Sequence, residues 1–341
     1  MKLLVTLGDL QGRGEGRLVL VDLAQERAEE LWRYEPPAER QVKGKGLAGA
    51  CFGERGTLYV CAANEVVRLD TSRWRPTGRL AQPCFNDLHH VAWDGSRLWI
   101  SNTGLDRVEV YDRAGHFLVA HDLAPASWLA ARLQGDTLSR EDWERCKQAG
   151  WEGTPRAELS AAAAPAGYYQ TSETLAQRKM RDFVHPNHVS VGAHGAWVTC
   201  FQDQRVRDLR TGQVILEGLP GFPHDGLLEG GKLWLTCTQG SVLAYTPSPQ
   251  GWALEHRLET FETGHTGWCR GLAVTPELLA VGLTRIETMP RYRWCDLPFD
   301  TTETSVLGLD PHHGKLLAHV DLGAFGAQPK VFSILHIKDQ L

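Results

Sequence analysis

The chain has 341 residues, of which 42% are hydrophobic and 23% charged, and its formal net charge is -5. This balance is typical of a globular protein with a large core, and it gives no electrostatic reason to expect binding to nucleic acid or to an anionic membrane. No window approaches the roughly 18 apolar residues of a membrane span, and the first residues lack the pattern of a secretory signal. We therefore expect a cytoplasmic protein.

The eight cysteines include no CxxC pair, and several lie inside apolar runs such as LYVCA and WVTCF. A free cysteine often serves as a small buried hydrophobic residue. Reduced, structural cysteines are therefore expected.

Four segments share one pattern: a small turn, a strand centred on an aromatic residue, a polar turn and a second strand. They are residues 56–70, 96–112, 195–210 and 231–246. A fifth copy begins at Glu277, and its partner strand follows an insertion. Each copy is preceded by one short strand and followed by a closing strand, and four-stranded units repeated around an axis are propeller blades.

A sixth blade can be assembled from both ends of the chain. VFSILHIK near the C-terminus resembles an inner strand, and KLLVTLGDL and GRLVLVDL at the N-terminus resemble the next two strands. Pairing of the terminal strands would close the ring and leave no open sheet edge. The sequence therefore predicts an all-β, six-bladed propeller spanning residues 1–341 as a single domain, with five or seven blades as alternatives.

Two segments do not fit the repeat. Residues 125–182 contain Ser139 followed by Glu141 and Asp142, which is typical of a helix N-terminus, and an AAAA run that ends at Pro165. We expect a partly helical insertion between blades two and three that covers one face of the ring, with a flexible surface excursion as the alternative. RIETMPRYRWCDLPFD, from Arg285, is expected to be either a lid or pocket wall or a plain loop.

The histidines fall into register when the second strands are aligned on Trp99, Trp197 and Trp234. One column then holds His89, Asn187 and His224, and the next holds His90, His188 and Asp225. Blade five contributes Arg270 and blade six contributes His336, whereas His185 lies just upstream of its strand. Because inner strands line the channel of a propeller, these side chains should converge at one axial mouth.

Imidazoles from different blades suit a transition metal, since neutral histidine binds zinc, copper, iron or nickel. His89, His224 and His336 are the predicted ligands, with His90 or His188 as the fourth. Asn187 and Asp225 would orient a ligand or a bound water, and Arg270 would hold an anionic substrate group. The alternative is that polar residues merely line a wet channel.

The blade starts HPNHVSVGAHGAWVT and NDLHHVAWDGSRLWISNTGLDRVEVYD resemble those of NHL-repeat and gluconolactonase/regucalcin-like six-bladed propellers. The resemblance covers most of the chain outside residues 125–182. Gluconolactonase-type members hold a divalent ion with Glu, Asn and Asp, which implies that Asn187 and Asp225 match two of those positions. The His-rich remainder departs from that pattern.

A weaker likeness is to bacterial arylsulfotransferases, which have HxN-type strand starts comparable to His185-Pro186-Asn187. That likeness implies that His188 or His224 carries a sulfuryl group and that Arg270 neutralises it. Carotenoid-cleaving oxygenases and methanethiol oxidases are propellers with all-His metal centres, which implies that such a geometry supports iron or copper.

The leading hypothesis is a metal-dependent enzyme with a His-lined axial site and a small-molecule substrate. Iron or copper with oxidoreductase or oxygenase chemistry is favoured, and zinc is possible. The alternatives are a metal-dependent hydrolase or lactonase, a non-catalytic interaction scaffold, and sulfuryl or other group transfer through an axial histidine.

Overall fold

The structure is a computed structural model that describes residues 1–82, 84–124, 184–192, 195–286 and 301–337. The predicted insertion at 125–182 and most of the RIETMPRYRWCDLPFD segment lie outside these residues. Within the described part, 24 strands form six four-stranded antiparallel sheets. Four short 3-10 helices are Ala38–Arg40, Thr103–Leu105, Thr260–Thr263 and Gly323–Phe325.

Blades one to five each use four consecutive strands. Blade one contains β4 Ala50–Phe52, β5 Thr57–Cys61, β6 Val66–Asp70 and β7 Arg75–Leu80; blade two contains β8 Leu88–Trp93, β9 Arg97–Asn102, β10 Arg107–Asp112 and β11 Phe117–Asp122. Blade three contains β12 Pro186–Gly192, β13 Gly195–Cys200, β14 Arg205–Asp208 and β15 Val214–Leu216; blade four contains β16 Pro223–Glu229, β17 Lys232–Cys237, β18 Ser241–Ser248 and β19 Gly251–Glu259. Blade five contains β20 Trp268–Val274, β21 Leu279–Thr284, β22 Ser305–Leu309 and β23 Leu316–Asp321.

The sixth blade joins the two ends of the chain. It contains β24 Pro329–His336 as its inner strand, followed by β1 Lys2–Asp9, β2 Gly16–Asp22 and β3 Arg27–Tyr34. β24 pairs antiparallel with β1, from Leu3 opposite His336 to Asp9 opposite Pro329. The predicted six-bladed ring and its closure by the terminal strands are confirmed.

The aromatic residue at the centre of the second strand packs between blades. Trp99 belongs to one buried cluster with Val189 and Val198 of the next blade, and Trp197 packs in the same way with Leu233. Truncating such a buried tryptophan to alanine costs about 3–5 kcal/mol. The aromatic repeat seen in the sequence therefore marks the contacts that hold neighbouring blades together.

The inner strands begin with a β-bulge, which shifts the register near the start of β8, β12, β16, β20 and β24. A bulge bends a strand and redirects its side chains. At two of these bulges, a threonine hydroxyl of the second strand forms hydrogen bonds with the backbone of the inner strand. The Thr199 hydroxyl accepts a hydrogen bond from the His188 amide at 3.0 Å and donates one to the His224 carbonyl at 2.7 Å, and the Thr236 hydroxyl accepts from the Asp225 amide at 3.0 Å. These bonds fix the residues at the mouth of the channel.

Cys61, Cys200, Cys237 and Cys269 are buried free thiols. Burial raises the pKa of the Cys237 thiol to about 12, and it raises the pKa of Cys61, Cys200 and Cys269 well above 9.0. They are therefore poor nucleophiles, as expected for structural cysteines. In the described part of the chain, no helix is long and apolar enough to cross a membrane.

Candidate functional site

The strand pairing confirms the two histidine columns. Trp99 lies opposite Ala92, Trp197 opposite Ser190 and Trp234 opposite Leu227. The residues two and three positions before each of these inner-strand partners therefore occupy equivalent places in the three blades. His89, Asn187 and His224 thus share one level of the inner strands, and His90, His188 and Asp225 share the next.

The predicted position of His336 beside His89 and His224 is wrong. His336 is the last residue of β24, whereas Phe332 occupies the bulge and Ser333 lies opposite Thr6. His336 is the third residue after Ser333, which places the histidine about 10 Å beyond Ser333 along the strand at about 3.3 Å per residue. His336 instead lines the channel, in a cavity that His90 and His188 also line.

His224 and Asp225 form a buried pair at the start of β16. The two residues are 4% and 2% exposed, and His224 Nδ1 lies 2.7 Å from Asp225 Oδ2. An ionised carboxylate only accepts hydrogen bonds, so Nδ1 carries the proton. His224 Nε2 is buried and has no hydrogen-bond partner among the described residues.

Blade five completes the environment of Asp225. The Gly271 amide donates a hydrogen bond of 2.6 Å to Asp225 Oδ2, and Gly271 has a φ of +69°. A Cβ added at Gly271 would come within 2.8 Å of Ile334 Cγ1. Burial is the largest single influence and raises the pKa of Asp225, but the combined interactions with His224, His188 and the Gly271 amide outweigh burial and hold the pKa below its usual value. The carboxylate is therefore ionised and orients the imidazole.

His185 joins the mouth from the rim, as the sequence suggested. Its ring centroid lies 4.7 Å from that of His89, in an edge-to-face arrangement. His185 has a φ of +54°, and Asp106 holds this conformation by accepting hydrogen bonds of 2.9 Å from the Val184 and His185 amides. The Nδ1 atom of His89 donates to the Asp87 carbonyl at 2.8 Å, which fixes its tautomer.

Cationic and aromatic groups surround these histidines. The Arg270 guanidinium carbon lies 5.0 Å from the Trp268 ring centroid and 5.3 Å from that of Phe332. Lys330 Nζ lies 4.4 Å from the Phe332 ring centroid and donates to the Gly44 carbonyl at 3.1 Å. We define the axial mouth as His89, His185, His224, Asp225, Arg270 and Phe332. It combines the opposite charges of Arg270 and Asp225 with neutral imidazoles and an apolar ring.

A second layer lies deeper in the channel. The rings of His90 and His188 are 3.7 Å apart between centroids, and Gly49 of blade one leaves room for them, since a Cβ there would lie 2.2 Å from His90 Cδ2. Beyond them is a cavity of about 280 Å³ with mainly apolar walls. Its lining includes His336, Val191, Leu227, Leu272, Val274 and Ile334. The channel therefore has a polar mouth and an apolar opposite end.

The buried imidazoles are neutral at pH 7. Desolvation by burial is the largest cause, and it lowers the pKa of His89 and His90 well below 6.5 and that of His188 below 6.5. Burial and then the charge of Arg270 lower the pKa of His224 to about 4, against the opposing effect of Asp225. Neutral imidazoles can accept a proton, attack an electrophile or bind a metal.

Asn187 lies at the level of His224 but contacts the neighbouring blade. Its Nδ2 donates to the Pro223 carbonyl at 3.3 Å, and its buried Oδ1 has no partner among the described residues. The amide is thus held in place with an acceptor available. Its predicted role in orienting a ligand stays a prediction.

The axial histidines do not form a compact set of metal ligands. In the part of the chain that the structure describes, one group of three or more His, Cys, Asp or Glu has all its ligand atoms within 4.8 Å of one another. That group is His265, Glu303 and His319, on blade five. The proposed ligands of the axial metal are therefore further apart, and the metal itself stays a prediction.

Sequence reasoning missed several residues that lie in or beside the axial mouth. Lys45 reaches the mouth from the segment before blade one and forms a buried ion pair with Asp87. Phe332 and Lys330 were missed because alignment on His336, the last residue of β24, puts the sixth inner strand in the wrong register. The apolar residues of KVFSIL were the signal that could have placed Phe332 at the mouth, if the strand had been aligned on them and not on His336.

The whole chain is similar in fold to two solved structures. One is a protein of unknown function from Bacteroides caccae and the other is the structure of a nidogen/laminin complex. Each comparison has 12% sequence identity and a TM-score of 0.58, and covers 98% of this chain and 97% of the other chain. Similarity at this identity shows the propeller fold alone. No family model and no curated protein matches the sequence.

Proposed function

We propose that the protein is an enzyme that acts on a small molecule with an anionic group, and that His224 is its reactive imidazole. The observation that carries the proposal is the buried His224–Asp225 pair. His224 Nδ1 lies 2.7 Å from Asp225 Oδ2, and the buried His224 Nε2 has no hydrogen-bond partner among the described residues. Arg270 lies close enough for its charge to lower the pKa of His224.

The pair suits acid–base or nucleophilic chemistry at Nε2. A carboxylate on Nδ1 fixes the tautomer that leaves Nε2 unprotonated, and it stabilises the imidazolium that forms when Nε2 takes a proton. Asp225 has this position, and its own geometry is fixed by the Gly271 amide. His224 is therefore the group that would accept a proton from water or attack the substrate.

A bound anion would tune this imidazole. With a pKa of about 4, His224 is a weak base at neutral pH. The positive charge of Arg270 is one cause, so an anion that neutralises Arg270 should raise the pKa of His224 towards the operating pH. Substrate binding would thus activate the base, which favours hydrolysis or transfer of a sulfate, phosphate or carboxylate ester.

The test is a panel of p-nitrophenyl sulfate, phosphate and carboxylate esters with the wild-type protein, His224→Gln and Arg270→Met. Loss of a general base usually costs about 100- to 10,000-fold in rate, so we expect a fall of this size in kcat/KM for His224→Gln. Arg270→Met should mainly raise KM. His116→Gln is the control, because His116 is an exposed histidine that lies 3.0 Å from the Asp112 carboxylate. Unchanged hydrolysis by His224→Gln would overturn the assignment.

A transition-metal centre at the axis is the second candidate. It is favoured by the carboxylate on His224 Nδ1, since metal-binding histidines commonly donate their other N–H to a carboxylate. His90 Nδ1 and His188 Nδ1 are also buried without a hydrogen-bond partner in the described residues. Iron or copper would then support oxidative chemistry and zinc would support hydrolysis.

Elemental analysis of protein purified without a His tag separates the two candidates. A stoichiometric iron, copper or zinc ion that is lost in His224→Gln supports the metal centre. Ester hydrolysis that survives chelation supports the metal-free mechanism.

A further inference from the structure

Blade five carries a second cluster of histidines, remote from the axial pair. His265 lies in the loop that leads into β20, Glu303 lies just before β22, and His319 lies on β23. β20 begins at the axial mouth and the strands of the blade alternate in direction, so β22 begins and β23 ends on that same face. The cluster thus occupies the outer part of the face that carries the mouth.

The three side chains converge on one oxygen atom. His265 Nδ1 and His319 Nε2 each lie 2.9 Å from Glu303 Oε1. The two imidazole rings are nearly parallel, with an interplanar angle of 16° and centroids 4.0 Å apart. Both rings therefore direct one nitrogen to the same small volume.

These distances are close to the separation between two ligand atoms that bind one metal ion. Zinc binds histidine nitrogen and carboxylate oxygen at about 2.0–2.2 Å, so two ligands of a tetrahedral ion lie about 3.3 Å apart. A few tenths of an ångström would open the observed contacts to that separation. The side chains are 25%, 33% and 28% exposed, so an ion could enter from solvent and keep water in its remaining position.

The carboxylate and its loop are held in place. Ser305 Oγ donates to Glu303 Oε1 at 2.9 Å, and the Glu303 amide donates to the Thr266 carbonyl at 3.0 Å. The first bond orients the carboxylate, as polar neighbours of metal ligands commonly do. The second ties the loop of His265 to the segment of Glu303.

We propose that His265, Glu303 and His319 form a binding site for a divalent transition-metal ion of the zinc type. Two imidazole nitrogens and one carboxylate oxygen are a recurring three-residue ligand set that leaves a position open for water or substrate. The ion would also join a loop, the start of β22 and the outer strand β23, and so stabilise blade five. This site is independent of the reaction proposed for His224.

The test is calorimetric titration of chelator-treated, tag-free protein with Zn²⁺, together with Co²⁺ titration followed by visible absorption. The variants are His319→Gln and Glu303→Gln, with His265→Gln as a further check. His116→Gln removes a histidine that pairs with a single carboxylate, and His224→Gln removes the axial imidazole. Circular dichroism verifies the fold of each variant.

We expect one equivalent of Zn²⁺ that is retained in His116→Gln and His224→Gln and lost in folded His319→Gln and Glu303→Gln. Zn²⁺ should raise the Tm of the wild-type protein but not of those two variants, because the ion binds the folded state. Wild-type stoichiometry in folded Glu303→Gln and His319→Gln, or no Zn²⁺ binding by the wild-type protein, would overturn the proposal.

Discussion

Acidification should destabilise the protein through its buried histidines, and His224→Gln should remove one part of this effect. The folded-state pKa of His224 is about 4, whereas the imidazole of the unfolded chain has its ordinary pKa near 6.5. Below pH 6.5 the unfolded state therefore binds a proton that the folded state does not bind. Stability contributed by the neutral imidazole is present above pH 6.5 and is lost as the pH falls towards 4.

The expected size follows from the pKa difference. Each pKa unit corresponds to about 1.4 kcal/mol, so the fall from 6.5 to about 4 amounts to about 3 kcal/mol by pH 4. Between pH 6.5 and pH 5 the proton linkage of this one imidazole costs about 1–2 kcal/mol. His89, His90 and His188 have lowered pKa values for the same reason, and they stay in the variant.

The assay is urea unfolding followed by tryptophan fluorescence at several pH values between 5 and 6.5. His224→Gln should be less stable than the wild-type protein at pH 6.5, because Asp225 loses a buried partner. The difference should shrink by about 1–2 kcal/mol or more on going to pH 5. In the wild-type protein Asp225 keeps its charge over this range, because its lowered pKa restricts its own loss of stability to more acidic solutions. In His224→Gln the buried carboxyl loses an interaction that lowers its pKa, so any proton that Asp225 takes up there makes the difference shrink further. Parallel pH profiles for the two proteins would refute the reasoning.

Two further substitutions test how the blades are held. Gly271→Ala should lower the free energy of unfolding by about 1–3 kcal/mol, because residue 271 has a positive φ and a Cβ there would approach its neighbours too closely. Gly192→Ala is the control and should cost little, because Gly192 has open space around it. Equal urea midpoints for the two variants would contradict this prediction. Glu65→Gln should cost about 3–5 kcal/mol, because Glu65 is fully buried and accepts hydrogen bonds from Tyr34 at 2.7 Å and Arg79 at 3.0 Å. A loss in Tm of under one degree would show that this carboxylate does not stabilise the ring.

The fold could be predicted because the blade pattern repeats within the chain. Trp99, Trp197 and Trp234 mark the same position of three second strands, and strand pairing keeps residues on the opposite strand in register. The two histidine columns follow directly from that alignment. The predicted position of His336 was wrong because the apolar run of β24 is buried along most of its length and carries little information about strand register.

Contacts between distant segments could not be read from the sequence. His265, Glu303 and His319 come from a loop, the start of one strand and the middle of another, so no local spacing marks them as ligands. The Lys45–Asp87 ion pair similarly joins the segments that precede blades one and two, which the packing of these neighbouring blades brings together. The histidine cluster depends on strand pairing within blade five and the ion pair depends on packing between two blades, and neither leaves a local pattern in the sequence.

The most direct test of the axial site is the linkage between anion binding and protonation of His224. Sulfate would be titrated into the protein at pH 5.5 in two buffers of different ionisation enthalpy, which gives the number of protons taken up. We expect sulfate to bind with measurable uptake of protons, because an anion beside Arg270 offsets one of the causes that lower the pKa of His224 to about 4. His224→Gln should show no such uptake. Sulfate binding without proton uptake, uptake that persists in His224→Gln, or no sulfate binding would contradict the proposed site.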